Sequence, residues 1–256
     1  MISSTETAVV SVITAVDSAQ NFITDSANSL YAQVLPSGWD WQWCVQIDGD
    51  DEMPDLGAAG DRRVTVQRNG GRAGQAATRN LALTRARGSI VVNLDADSLF
   101  LKGALRSIVD CFAANPSIAW VSAGNVKVDL ELCEIRGFVP TELSGRRVPK
   151  GTLETLWRPA EGQVPIIPHT VSYRTDVVRR IGGWMALPRS EDTGLAMTVS
   201  HLHDGFILNR PTIRNRSWNG QVTARPWLGN ESYAKLAGYE LIRQRLESIS
   251  RNGGIL

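Results

Sequence analysis

A chain of 256 residues, 43% hydrophobic and 21% charged, is long enough to bury one sizeable core, and 27 basic against 26 acidic side chains leave a net charge of +1. That balance supplies no general drive toward nucleic acid or an anionic membrane surface. The three cysteines, Cys44, Cys111 and Cys133, are widely spaced and form no Cys-x-x-Cys pair or Cys/His cluster, which argues against a zinc site and for a reducing compartment.

In chain order, the polar start lacks basic residues, and the apolar run Val9 to Val16 is too short to span a bilayer. The expectation is a cytoplasmic protein without a transmembrane segment, with peripheral attachment to a membrane and a homodimer left open. Val9 to Val16 itself reads as a buried strand. Asp17 or Ser18 can cap a following helix that carries Phe22, Ile23, Ala27, Leu30 and Val34 and ends at Pro36 and Gly38. Trp39, Trp41, Trp43, Val45 and Ile47 alternate with other residues at the period of a strand, and the Trp stripe reads as core. That strand runs into an acidic turn, Asp48-Gly49-Asp50-Asp51. Arg63 to Gln67 is a third strand, and Asn69-Gly70-Gly71-Arg72-Ala73-Gly74 leads into a helix that stops at Gly88.

Ser89-Ile90-Val91-Val92-Asn93-Leu94-Asp95-Ala96-Asp97 is a β-branched run ending in two carboxylates one residue apart. In an open parallel sheet, ligands gather at the carboxyl ends of strands. Acids on alternate residues of an extended chain point the same way. Together Asp95 and Asp97 suit a hard cation, Mg²⁺ or Mn²⁺, which commonly bridges to phosphate oxygens. The ordinary alternative is a solvated Asp-x-Asp turn.

A helix from about Lys102 to Asn115 follows, then strands at Ile118 to Ser122 and Val126 to Val128. The alternation of strand and helix argues for an α/β fold with a mostly parallel sheet flanked by helices. From Leu130 to Pro168 the rhythm is lost, and Pro140, Pro149, Pro159, Pro165 and Pro168 punctuate the chain. A short helix from Thr175 to Ile181 leads to Gly182-Gly183-Trp184. Ser190-Glu191-Asp192 opens another helix, Phe206 to Leu208 is a strand, and Glu231 to Ser250 is an amphipathic helix with Leu236, Tyr239, Ile242, Leu246 and Ile249 on one side.

Three acidic clusters therefore follow strands or open a helix: Asp48 to Asp51, Asp95/Asp97 and Glu191/Asp192. Group transfer from a nucleoside diphosphate needs a pocket for base and ribose, a cation on the diphosphate, and a base to activate the incoming hydroxyl. Three such clusters can supply all of these. The bland readings are a solvated turn for the first and helix N-terminal acids for the third. His201 and His203 lie two apart in a helix, on different faces, and do not form a metal pair. His169 stands before the acceptor region, as an acceptor-site or a structural residue. Trp157, Trp184, Trp218 and Trp227 are candidates for stacking on a sugar or for packing.

The order of these features resembles the family 2 glycosyltransferases, with the GT-A fold. The correspondence runs through Thr14-Ala15-Val16-Asp17-Ser18, Ile47-Asp48-Gly49-Asp50, Asn69-Gly70-Gly71 with Ala77-Thr78-Arg79-Asn80, Ala86-Arg87-Gly88-Ser89 through Asp95-Ala96-Asp97, and Arg180-Ile181-Gly182-Gly183-Trp184 with Glu191-Asp192. The resemblance implies one GT-A domain: a Rossmann-like nucleotide-sugar-binding half over about 8–128, a smaller acceptor half over about 129–230, and a C-terminal helix over 231–256. It implies that Thr14, Ala15 and Val16 line the nucleotide pocket and that Asp48 bonds the base. Arg68 or Arg79 approaches base, ribose or diphosphate. Asp95 and Ala96 lie on the ribose side, Asp97 with Asp95 holds Mg²⁺ or Mn²⁺, Asp192 is the general base of an inverting transfer, and Glu191 orients the acceptor.

The chain departs from the pattern at Ala15, Ser18 and Ile47, where the family carries Pro, Asn and Asp. The Gln-x-x-Arg-Trp of processive members is absent, and Arg216-Ser217-Trp218-Asn219-Gly220-Gln221 shares its residue types in another order. The expected activity is a non-processive transfer of one sugar from a nucleotide-diphospho-sugar to a hydroxyl-bearing small molecule, glycan or lipid-linked sugar. A sugar nucleotidyltransferase is the alternative enzyme, although its Gly-rich activation loop would stand where Asp17-Ser18-Ala19-Gln20 does. A non-catalytic nucleotide-sugar-binding module is the other alternative.

Overall fold

The computed structural model describes residues 7–17, 20–52, 55–57, 60–157, 164–221 and 233–253. The expectations placed on Ser18, Pro159, Trp227 and Glu231 lie outside them.

The first strand, β1 (Ala8–Val16), sits between two parallel neighbours, β2 (Trp39–Ile47) and β4 (Ile90–Asn93), and β3 (Val64–Arg68) continues the parallel set beyond β2. Between them run α1 (Ile23–Tyr31), entered through a 3₁₀ turn, and α2 (Gln75–Thr84). Beyond β4 the sheet changes character. A short strand, β9 (Ser172–Arg174), lies antiparallel to both β4 and β6 (Trp120–Val128). Next comes β10 (Gly205–Arg216), parallel to β6, and then β5 (Ser98–Phe100), antiparallel at the edge. The order is β3-β2-β1-β4-β9-β6-β10-β5, with β7 (Glu134–Arg136) on β6 and β8 (Arg146–Val148) on β10.

The strand period of two divides the buried side chains between two cores. Val10, Val12, Trp41, Trp43, Val45 and Ile47 face α1 and α3 (Ala104–Ala114), meeting Leu30, Ile108 and Phe112. Ile13, Cys44 and Val91 face the other way. There they join side chains of α2, α4 (Thr152–Trp157), α5 (Thr175–Arg180), α6 (Glu191–Leu202) and α7 (Tyr233–Arg251). A Cβ on Gly88 would meet the Val9 carbonyl oxygen at 2.5 Å, so the turn into β4 can pass β1 only with glycine there.

The structure corrects several boundaries. One continuous β6, starting at Trp120, joins the two segments expected at Ile118 to Ser122 and Val126 to Val128, because Gly124 and Asn125 continue the pairing with β10. The strand expected at Phe206 to Leu208 extends to Arg216, and register shifts on either side of Pro211 accommodate its missing N–H. Leu130 to Pro168 is not wholly irregular, since it holds β7, β8 and α4. Helix α1 stops at Tyr31 and leaves Val34 70% exposed; on α7, Ile242, Leu246 and Ile249 are buried whereas Leu236 is 63% exposed. No helix among the described residues is long and apolar enough to cross a membrane.

Candidate active site

The carboxyl ends of β1 and β4, the start of α6 and the loop after β10 close around a cavity of about 460 Å³. Two features of local folding bring them together. After β2, the buried Asp48 accepts hydrogen bonds at Oδ1 from the Ala73 amide (2.6 Å) and Asn69 Nδ2 (3.0 Å), and at Oδ2 from the Gly74 amide (3.0 Å). A carboxylate is thus spent on the orphan amides before α2, which sets the position of that helix. Five residues on from Gly74, Arg79 points from α2 into the interior and is only 2% exposed.

Arg79 is the hub. It donates to Asn93 Oδ1 (3.1 Å), Asp95 Oδ1 (2.9 Å) and Glu191 Oε1 (2.5 Å), and lies 3.5 Å from Asp192 Oδ1. Burial works against its charge, but the Asp192, Glu191 and Asp95 carboxylates outweigh burial and push its pKa up. The same contacts sort the acids. Burial raises Asp95, yet Arg79 reverses this and holds it below the usual carboxylate range. For Asp192, burial dominates, Glu191 and Asp95 add to it, and Arg79 offsets only part, so its pKa is pushed up to about 7. Asp192 Oδ1 also accepts the Trp184 indole N–H at 2.8 Å. Burial and the nearby Asp95 charge likewise raise Asp97, whose Oδ2 accepts from Trp218 Nε1 (2.8 Å) and Gln221 Nε2 (3.2 Å).

Of the residues singled out from sequence, Ala15, Arg79, Asp95, Ala96, Asp97, His169, Glu191 and Asp192 line this one cavity. Thr14, Val16, Asp48, Arg68 and Trp184 do not. Thr14 is buried beneath it, donating to the Leu94 carbonyl (2.7 Å) and accepting the Trp43 indole N–H (2.9 Å). Val16 belongs to the core, and Arg68 is exposed at the end of the edge strand β3. Trp184 is buried behind Asp192. His169 sits in a 3₁₀ turn (Pro168–Thr170); burial lowers its pKa, and its Nε2 is buried without a partner among the described residues. Trp157 packs edge-on against Tyr239 at 5.4 Å and does not itself line the cavity.

The sequence reading missed the tie from Trp218 and Gln221 to Asp97. It also missed Arg216, fully buried, which bonds Asp25 Oδ2 (2.7 Å) and the Asp97 carbonyl (3.3 Å). The signal was present in the Arg216-to-Gln221 segment, whose residue types matched the family's without its order.

Among the described residues, no group of three or more His, Cys, Asp or Glu is arranged to hold a metal ion. Asp97 nevertheless fits one. Its described partners are neutral N–H groups, and its raised pKa marks a buried carboxylate short of positive charge. A cation on a diphosphate needs only one or two protein carboxylates, since phosphate oxygens and water complete its shell.

The model of Glycosyl transferase family 2 matches residues 11–182, more than half of the chain. The curated proteins yield no match. Among solved structures, S. aureus TarS 1-349 in complex with UDP-GlcNAc is similar with a TM-score of 0.71 at 18% identity, covering 93% of this chain and 65% of that one. The same TarS fragment with UDP gives a TM-score of 0.62 at 20% identity over 82% and 61% of the two chains. The chain thus spans less than two thirds of the length of these structures, and the likeness is one of fold. With the family model running from within β1 to Gly182, the chain belongs to glycosyl transferase family 2.

Proposed function

We propose that the chain transfers a sugar from a nucleoside-diphospho-sugar to an acceptor hydroxyl by a single inverting displacement. The observation that carries this reading is that Arg79 gathers Asp95 and Asp192 on one wall-to-wall network, yet leaves them with opposite pKa shifts. Environments that push two carboxylates apart assign them different tasks. Asp95 stays anionic on the donor side. Asp192, poised near neutrality, takes the acceptor proton as the acceptor oxygen attacks the anomeric carbon. Its Oδ1 is held by Trp184 and faces Arg79, so Oδ2 is the oxygen that receives the proton. Glu191, bonded to Arg79, fixes the N-terminus of α6 beside the acceptor.

Asp97 and Asp95 would hold a divalent cation, Mg²⁺ or Mn²⁺, which would supply positive charge for the leaving diphosphate. Residues 8–128 carry the donor side and 129–230 the acceptor side, while Lys235 and Tyr239 of α7 reach the cavity rim. The complexes of TarS with UDP-GlcNAc and UDP make a uridine diphosphate sugar the first donor to try. Three free cysteines and a nucleotide-sugar donor agree with a cytoplasmic location.

The test is a thermal-shift panel of nucleoside diphosphates and their sugars, with and without Mn²⁺. A ligand at about 100 times its Kd stabilises the fold by about 2.7 kcal/mol, a readily measured rise in Tm. A metal-dependent rise for at least one nucleotide sugar is expected. No rise with any of them contradicts the reading.

A further inference from the structure

We propose that Trp184 and Asn80 are positioning residues that aim the Asp192 carboxylate at the acceptor. This rests on the reading of Asp192 as the base. The indole N–H of Trp184 reaches Asp192 Oδ1 at 2.8 Å, and the ring is 3% exposed, so it touches no substrate in the cavity.

Helix α2 holds Trp184 in place by its backbone. Asn80 Nδ2 donates to the Trp184 carbonyl (2.9 Å), and Asn80 Oδ1 accepts the Trp184 amide (2.9 Å). This two-point clamp spans 104 residues of sequence. It explains the glycine before Trp184: a Cβ on Gly183 would stand 2.2 Å from Asn80 Oδ1, and the residue has φ +75°, which disfavours any side chain. Gly183 therefore lets this backbone come close to Asn80.

The neighbour of Asn80 on α2 is Arg79, which meets Asp192 on the same oxygen side. One helix thus constrains the base twice, through Arg79 directly and through Asn80 and Trp184. Both constraints act on Oδ1, so rotation of the carboxylate is suppressed and Oδ2 keeps one direction. A base offers its full rate advantage only when its accepting oxygen is within hydrogen-bond reach of the proton it removes. The other charged and titratable groups around Asp192 are Glu191 on α6, Asp95 after β4 and Tyr173 on β9. None of these donates a hydrogen bond to it among the described residues. Phenylalanine at 184 would keep an aromatic ring in the same buried site while deleting the N–H together with part of the indole.

The experiment compares the wild type with Trp184→Phe, Asn80→Ala and Asp192→Asn in two measurements. The first follows the tryptophan indole ¹H–¹⁵N resonances by NMR, with the Trp184 signal identified by its loss in W184F. Its resonance is expected to move in D192N, where the acceptor oxygen changes, and in N80A, where the clamp is gone. An unmoved indole resonance in D192N overturns the proposal. The second follows UDP release from UDP-GlcNAc with Mn²⁺. W184F and N80A should lower kcat by about 10- to 100-fold with donor KM changed by less than about twofold. In the D192N background, W184F should add no further loss.

A W184F enzyme with wild-type kcat, beside an inactive D192N, overturns the positioning role but leaves Asp192 as the base. A D192N enzyme with wild-type kcat overturns both. If the wild type releases no UDP from this donor, the indole shift alone decides.

Discussion

At the scale of single residues, the site depends on one buried arginine, Arg79, which joins three acids and leaves two of them, Asp95 and Asp192, shifted in opposite directions. Asp192 must be ionised to accept a proton, and its pKa is pushed up to about 7. Turnover should therefore fall as pH drops through 7, by about tenfold per unit well below it, in a pH–rate profile. The sign for stability is the reverse. Because the folded pKa lies above the ordinary 3.8, folding favours the protonated acid, and stability is lost as pH rises from about 4 to 7. Asp192→Asn should accordingly raise Tm at pH 8 while it lowers turnover, which a melting curve at two pH values checks. Arg79→Ala should do the opposite to stability. It leaves Glu191, Asp95 and Asp192 without their shared cation, and loss of one partner in a buried ionic cluster costs about 3–5 kcal/mol, measurable by urea unfolding. Asp97→Asn should leave the fold intact, since a neutral amide suits its buried site, but abolish the Mn²⁺-dependent part of nucleotide-sugar binding in the thermal-shift assay.

At the scale of elements, α2 and α6 are the working pair, and the remaining helices hold α6 in place. His201 near the end of α6 bonds Glu154 of α4 through Nδ1 (2.6 Å) and meets Ser250 of α7 through Nε2 (3.2 Å). Three helices are pinned by one imidazole, at the opposite end of α6 from Glu191. His201→Ala should cost about 1 kcal/mol in chemical denaturation with little change in donor KM. The same scale shows what was legible in the sequence. The strands β1, β2 and β4 announced themselves by β-branched runs and by the Trp39/Trp41/Trp43 alternation, because burial on both faces leaves a local signature. The segments β5, β7 and β8 are three residues each and owe their existence to the longer strands they pair with, so no local pattern marks them. Leu236 failed for a different reason: at about 100° per residue it lies roughly a third of a turn around α7 from Ile242, Leu246 and Ile249, off the side that meets the core.

At the scale of the whole molecule, the sheet's change from parallel to antiparallel at β9 brings the β4 carboxylates and the α6 acids to one cavity. The order of acids along the chain was legible because each follows a strand end or opens a helix. Which of them line the cavity was not, because that depends on long-range pairing. Asp48 matched a motif but spends its oxygens on the amides of 73 and 74, and Trp184 matched one but turns its edge to Asp192. Trp218 and Gln221 sit 121 and 124 residues from Asp97 in sequence, beyond the reach of any local rule.

The central claim, that Asp192 is the base for sugar transfer, is tested most directly by Asp192→Asn assayed on whichever nucleotide sugar stabilises the wild type. The account predicts a fall in kcat of about 10²–10⁴-fold with the donor's metal-dependent thermal shift retained. A variant that binds the donor and turns it over at the wild-type rate would contradict it.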